Sequence, residues 1–393
     1  MFRFRYQIFK VLSLLVFSAI ALAGCASQTP YSSNTISVST RQAIVTVPER
    51  DHYGFMRIGD AEAAAIAANM NPRGQGLNSW TDLAPAIDRS LRFMAKKADN
   101  SLALDQPELR VTWGELRRSL NILRDMLPQL DSRPELLASA FDWYAMGPTV
   151  KFTGYYEPTL EASWTKTGEF AQPLYAVPPD LRRGKPYHDR HAIDEKGVLR
   201  GRGLELAWIK SKVDSFFLQI QGSGRLVFTD GSVRHVLYAD KNNHSYVALG
   251  RTMKERGLIP PDQVNMPNIR AYLAAHPDEV SELLDTNPSY VFFRLADSGP
   301  LGAMGQVVTP WVSLAVDKRV FPMGAAVVFA VPLPGPDHVQ GARGLLSGIG
   351  FCQDVGGAIK GNRADLFCGP GDFAEMIAGH LDVGGDVILL LAR

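Results

Sequence analysis

Asp354 and Asp365 stand eleven positions apart near the C-terminus, on either side of the paired glycines Gly356 and Gly357. The stretch reads Gln353-Asp354-Val355-Gly356-Gly357-Ala358-Ile359-Lys360-Gly361, with Asp365-Leu366-Phe367 following. Glycine permits positive φ and close backbone approach, so a tight turn after a strand can bring the two carboxylates to neighbouring strand ends. Such a pair suits acid–base chemistry on a bond whose leaving group needs a proton. A carboxyl group can supply that proton near pH 7 only if it stays neutral, and both burial and a nearby carboxylate raise its pKa. Leu366 and Phe367 offer Asp365 part of an apolar setting. Asp317 is a third carboxylate, closing the run Ser313-Leu314-Ala315-Val316. It either contacts the same site or caps a turn, the commoner role of a strand-terminal aspartate. Lys360 either orients Asp365, meets a ligand carboxylate or is simply solvated. Asp372, Asp382 and Asp386 sit near glycines and read as turn or helix-cap residues.

These residues need a scaffold. From Trp80 to Lys97, Leu83, Ile87, Leu91 and Met94 recur at helical spacing, and Leu116, Leu120, Leu123 and Leu127 do so from Trp113 to Leu127. Pro134 before Glu135 to Tyr144 predicts a third helix. Their apolar stripes are core faces. After Gly147 the pattern changes to short β-branched and aromatic runs broken by Gly and Pro. Val150 to Tyr156, Phe216 to Gln221, Arg225 to Thr229 and Val233 to Tyr238 read as strands, with a turn at Asp230-Gly231. Helical patterning returns at Tyr246 to Glu255 and Ile269 to Leu284. Strands follow at Tyr290 to Leu295, Val312 to Asp317, Ala326 to Val331, Leu345 to Val355 and Val387 to Leu391. The fold expected is mainly β with helices: a discontinuous β-barrel domain interrupted by a second β-rich domain. The boundaries read 46–156 for the helical part and first portion of the barrel, 157–286 for the insertion and 287–393 for the second portion.

Composition narrows the function. A net charge of +1, from 41 basic and 40 acidic residues, gives no electrostatic support to a nucleic-acid partner. The eight histidines show no paired metal-ligand spacing such as HExxH, and two cysteines alone cannot build a tetrahedral zinc site, so neither metal nor organic cofactor is expected. Cys352 and Cys368 could form a disulfide in an oxidising compartment or remain two buried thiols.

Arg3, Arg5 and Lys10 precede an almost wholly apolar run from Val11 to Ala23, the layout of a secretory signal over residues 1–24. The run falls short of the roughly twenty apolar residues that span a bilayer. It ends in Leu22-Ala23-Gly24-Cys25, a lipoprotein processing pattern, which marks Cys25 for lipidation. The alternative is an ordinary cleaved signal that happens to precede a cysteine. Residues 25–45 are rich in Ser, Thr and Gln and read as a flexible tether. By resemblance to bacterial lipoproteins, Ala26 in place of aspartate implies transport to the outer membrane.

The three aspartates, in Ala315-Val316-Asp317-Lys318, the Asp354 stretch and Arg363-Ala364-Asp365-Leu366-Phe367, resemble the triple-aspartate (3D) domain of the membrane-bound lytic murein transglycosylase A family. Thr153-Gly154-Tyr155-Tyr156-Glu157-Pro158, Phe217 to Arg225 and Asn287 to Phe293 are similar to that family in the same order. The resemblance covers roughly Thr153 to Leu391. It implies a double-psi β-barrel with an inserted second barrel domain and a glycan-binding groove between them. It also implies a peptidoglycan lytic exotransglycosylase, a carbon–oxygen lyase on the outer membrane's periplasmic face. Its partners would be glycan strands, the outer-membrane lipid anchor and a cell-wall synthesis complex. Asp365 falls on the family's catalytic acid and Asp354 on a supporting carboxylate. Thr153, Tyr155, Tyr156, Gln219, Gln221, Ser223 and Arg225 fall toward the groove, with Asp317 and Lys360 as further contacts. Adjacent strand residues face opposite sides, so one of Tyr155 and Tyr156 belongs to the core. Two other functions fit the same residues: hydrolysis of a β-linked glycan, and a lipoprotein that binds peptidoglycan without cutting it.

Overall fold

A computed structural model describes residues 50–335 and 344–393. The signal, the Cys25 anchor and the tether lie outside the described residues. Among those residues no helix is long and apolar enough to cross a membrane.

The elements begin with β1 (Gly54–Arg57), α1 (Asp60–Asn69), α2 (Ala84–Met94), β2 (Leu102–Asp105), β3 (Arg110–Thr112), α3 (Trp113–Leu130), α4 (Glu135–Ala140), β4 (Phe141–Gly147) and β5 (Val150–Glu157). They continue with β6 (Thr159–Ser163), β7 (Gln172–Tyr175), α5 (Arg190–Asp194), β8 (Glu205–Ile209), α6 (Lys212–Gln221), β9 (Ser223–Phe228), β10 (Val233–Lys241), α7 (Leu249–Glu255), α8 (Met266–Ala275), α9 (Val280–Asp285) and β11 (Val291–Ala296). Then come β12 (Ser313–Val316), β13 (Ala326–Leu333), β14 (Gly344–Asp354), β15 (Arg363–Pro370), α10 (Asp372–His380) and β16 (Asp382–Ala392).

Strands β16, β13, β14, β12, β15 and β5 pair in that order, and β5 pairs back to β16, so the ring closes into a barrel. Strands β4 and β1 extend it beyond β16. Two of the pairings, β12 with β14 and β5 with β15, are parallel. Parallel neighbours require long crossovers, and the one from β5 to β15 encloses an entire second sheet. That sheet runs β11-β10-β9-β6-β8-β7, and a bridge between Ala176 and Phe293 brings its two edges together. The result is the mixed helix and β fold with a closed barrel that the residues predict. Because β11 pairs with β10, the second sheet reaches past Thr286, where the sequence reading ended it.

The N-terminal helices form because their ends are satisfied as well as their faces. Thr112 caps α3 in a reciprocal box: its hydroxyl accepts from Glu115 N at 3.2 Å, and the Glu115 carboxylate accepts from Thr112 N at 2.7 Å. Leu116, Leu120, Leu123 and Leu127 are then buried in the same core as the barrel strands. Each such side chain stabilises the packing by roughly 1.5–3 kcal/mol. Helix α10 lies so close to β5 that a Cβ on Gly154 would stand 2.9 Å from Ala378 Cα. Glycine is the residue that allows this contact.

Several expected elements are corrected. Phe216 to Gln221 is the C-terminal part of helix α6, because Ser211 accepts from Asp214 N at its start and Gly222 adopts φ 78° at its end. A short apolar run carries no period long enough to separate strand from helix. The helix at Glu135 stops at Ala140, and Phe141 to Gly147 is strand β4, paired with β16. The helical stretch at Ile269 to Leu284 is divided at His276-Pro277, where Pro277 cannot continue α8. Asp386 is no turn residue: it is buried on β16, where both its oxygens receive Arg50, at 3.2 and 3.1 Å. Cys352 and Cys368 are both buried free thiols.

Candidate active site

Four adjacent strands line up the site. The registers run Asp354 to Ala315, Ala315 to Asp365, and Asp365 to Thr153, across β14, β12, β15 and β5 in turn. Partners directly opposite one another project to the same face, so these four side chains form one row. Strand β12 thus separates the two aspartates, which do not sit on neighbouring strands as the turn at Gly356-Gly357 suggested. At about 4.8 Å per strand, their backbones are about 10 Å apart. A register shift between Leu314 and Ala315 brings Asp354 opposite Ala315 and passes over Gln353. Bulges of this kind re-aim side chains beside active sites. Gln353 is held inside the core, accepting from Ser313 Oγ and donating to Ala86 O and Ser90 Oγ, so the shift is pinned.

Asp365 keeps part of its surface open, yet protein crowds it closely enough that losing water raises its pKa to about 6. The Thr153 hydroxyl, donating to Oδ1 at 2.5 Å, and the charge of Arg363 oppose that rise, and the Asp354 charge adds to it. Burial also raises the pKa of Asp354. Its Oδ1 accepts from Ala303 N and Val355 N, both at 2.8 Å, and its Oδ2 accepts from Tyr155 Oη at 2.9 Å. Gly302 makes the first of these contacts attainable, since a Cβ there would meet Gln353 O at 2.6 Å. The Tyr155 ring lies 5.1 Å from that of Phe367, the residue opposite it in register. Phe367 therefore stands on the acid's own face of β15. Leu366, one position earlier, points into the barrel core, so of the two apolar neighbours only Phe367 borders Asp365.

The other candidates divide between the site and its frame. Tyr156 is buried on the opposite face of β5 from Tyr155 and donates to Glu375 of α10 at 2.9 Å. Burial raises the Tyr156 pKa, so its hydroxyl stays protonated. Gln221 accepts from Tyr156 N at 3.0 Å, tying the end of α6 to β5. Gln219 is buried within α6, accepting from Arg190 at 2.9 Å and from Val291 N at 3.3 Å, which places it in the second sheet's frame. Ser223 is buried at the start of β9, and Arg225 is drawn to Glu157 at 3.3 Å. Asp317 accepts from Arg319 N and its guanidinium and from Gly361 N at 2.9 Å, and the Arg319 contact holds its carboxyl far below the ordinary range. These bonds describe a turn cap. Lys360 is exposed on the loop before β15.

Three residues at the site escaped the sequence reading. Arg363 shares a face with Asp365 by strand alternation, a signal available from spacing alone. Ala315 and Ala303 gave none, because only the register and the loop's return to β14 bring them to the aspartates. Among the described residues, no three His, Cys, Asp or Glu side chains gather closely enough to hold a metal ion.

A closed β-barrel whose strand row presents two carboxyl groups, Asp354 bound on both oxygens and Asp365 bound on one with its pKa pushed up to about 6, defines a class of barrel-borne acid site. Comparison with known proteins specifies it further. Residues 151–294 match the family model of the MltA specific insert domain, and residues 312–391 match that of the 3D domain. The membrane-bound lytic murein transglycosylase A of Vibrio cholerae is 36% identical over 235 residues, covering 59% of this chain and 62% of that relative. The chain thus spans just under two thirds of that curated relative's length. A membrane-bound lytic murein transglycosylase from Agrobacterium tumefaciens has a crystal structure similar at TM-score 0.73 and 30% identity, over 87% of this chain and 98% of the other. The Escherichia coli MltA structure with bound chitohexaose aligns at TM-score 0.68 and 26% identity, over 90% and 98%. The chain belongs to the membrane-bound lytic murein transglycosylase A family and carries its 3D domain.

Proposed function

We propose that this protein is a lytic transglycosylase of peptidoglycan, cleaving the β-1,4 bond between N-acetylmuramic acid and N-acetylglucosamine with Asp365 as its single acid and base. The observation that carries the reading is the half-buried Asp365, whose pKa burial pushes up to about 6 and whose Oδ1 is anchored by Thr153. A glycosidic oxygen leaves readily only when protonated, and a carboxyl group with pKa near 6 is matched to that task. Asp365 gives its proton to the departing N-acetylglucosamine oxygen. The C6 hydroxyl of the muramic residue then attacks its own C1, and the Asp365 carboxylate takes the hydroxyl proton, which restores the acid. The product is a 1,6-anhydro end, and the tethered nucleophile replaces water.

Asp354 supports this route over hydrolysis. A hydrolase needs a second carboxylate free to act as nucleophile or to activate water. Both oxygens of Asp354 are engaged by three donors, which suits a structural carboxylate that holds Tyr155 and the loop at Ala303 in place. We further assign residues 46–156 and 297–393 to a double-psi barrel domain and residues 157–296 to the insertion, with the glycan in a groove between them. Burial raises the pKa of Tyr246, which precedes α7 in the insertion, and the charges of Arg190 and of Arg363 on β15 oppose that rise, in keeping with two walls that face each other. Thr153, Tyr155 and Lys360 belong to this groove. Membrane association accords with the relatives' names, and Cys25 is the residue we assign to an outer-membrane lipid anchor.

Digestion of purified sacculi tests the proposal. Released muropeptides analysed by mass spectrometry should end in 1,6-anhydromuramic acid. New reducing ends would establish hydrolysis, and binding to sacculi without release would establish a carrier.

A further inference from the structure

We propose that Arg363 is a positioning residue for the acid: it donates to Thr153 Oγ1 and so biases the threonine's single proton toward Asp365 Oδ1 and the transferable proton onto Oδ2. This inference rests on Asp365 being the catalytic acid. Arg363 and Asp365 are alternate residues of β15 and share a face, and Thr153 is the register partner of Asp365 on β5. Arg363 Nη2 lies 3.1 Å from Thr153 Oγ1, and Thr153 Oγ1 lies 2.5 Å from Asp365 Oδ1. A guanidinium can only donate, and a hydroxyl has one proton to give. The arginine occupies one of the two acceptor lone pairs of the hydroxyl, which biases Thr153 to direct its own proton at the carboxyl group, as its 2.5 Å contact with Oδ1 has it. Oδ1 is thereby favoured as an acceptor in both the neutral and ionised states of the acid.

The side chain is itself held in place. Its Nη1 reaches Ala358 O at 3.4 Å, on the loop after β14, and its Nε is buried with no hydrogen-bond partner among the described residues. A charged group kept this way for packing alone would be costly. Remove Arg363, and Thr153 loses that bias and accepts a proton from Oδ1–H more readily. The acid then divides its proton between two oxygens, only one of which faces the departing sugar. The arginine charge also assists the second half of the reaction, when Asp365 is a carboxylate.

The test compares Arg363→Met, Arg363→Lys, Thr153→Val and the double variant Thr153→Val/Arg363→Met on soluble, uncross-linked glycan strands, with Asp365→Asn as reference. Expected are a kcat about 10- to 100-fold lower in Arg363→Met with KM nearly unchanged, and partial recovery in Arg363→Lys, which can still donate. Loss of the positive charge should also move the alkaline limb of the pH profile upward. The double variant should be no slower than Thr153→Val, because both changes break one relay. Multiplying losses, a raised KM with intact kcat, or an unmoved pH profile would each overturn the inference while Asp365→Asn stays inactive. If Asp365→Asn itself remains active, the fault lies with the proposed function.

Discussion

Asp354 and Asp365 occupy one register row with a single residue, Ala315, between them. Ala315 is buried and contributes only a methyl group to the row, between two carboxylates with different contacts. Asp354 accepts three hydrogen bonds and holds its surroundings, whereas Asp365 accepts one from a hydroxyl and keeps an oxygen available.

Asp365→Asn should lower turnover by about 10² to 10⁴, the usual worth of a positioned acid. It should also stabilise the fold at neutral pH. Burial raises the carboxyl's pKa from 3.8 to about 6, so the native state binds this proton more tightly than the unfolded chain does. Below about pH 4 the group costs nothing; the penalty grows as pH rises toward 6 and is complete above it. Urea unfolding should show the variant about 1–3 kcal/mol more stable at pH 7.5 and equal to the parent at pH 3.5. Equal stability at both values would contradict the burial.

The rate of glycan cleavage should fall as pH rises through about 6, where Asp365 loses its proton in the free protein. Well above that value kcat/KM should drop about tenfold per pH unit. A profile flat from pH 5 to 8 would mean that another group supplies the proton.

Ala315→Leu should place a branched chain between the aspartates and abolish activity, at a stability cost of about 1–3 kcal/mol for an overfilled site. Ala315→Gly adds no bulk to the row and should retain most activity. Paired measurements of melting temperature and turnover separate the two effects.

Tyr155→Phe removes the donor to Asp354 Oδ2 but leaves the two backbone donors to Oδ1. The expected destabilisation is about 1–2 kcal/mol, with a loss of turnover smaller than at Asp365. An unaltered urea midpoint would show that the hydroxyl does not hold the carboxylate.

Cys352 and Cys368 should be indifferent to reductant. Both are buried, and burial pushes the Cys352 thiol up to about 12 and raises that of Cys368 as well. Peptide mass spectrometry should find both labelled by an alkylating reagent only after unfolding, and the melting temperature should be unchanged by dithiothreitol. A reductant-sensitive melting point would reveal a disulfide.

Much of this protein is written in local patterns. The capped leucine stripe of α3, the run of β5, the continuous apolar run of β13, and the glycine-flanked aspartates need only nearest neighbours and hydrogen-bonding groups a few residues away, so the sequence specifies them unaided. It also shows that Tyr155 and Tyr156 must part company, because a strand turns successive side chains to opposite faces. Arg363 was within reach by the same rule, two positions before Asp365.

What the sequence by itself could not decide was where strands far apart in the chain meet. Residues Phe216 to Gln221 read as a strand from the sequence, whereas Ser211, Gly222 and the packing of Phe216 and Phe217 select α6. The passage of β12 between β14 and β15, and the register shift at Gln353, set Asp354 two strands from Asp365 and put Ala315 between them. Pairing of this kind depends on closing the barrel around one shared core, a property of all six strands at once, and no window of residues contains it.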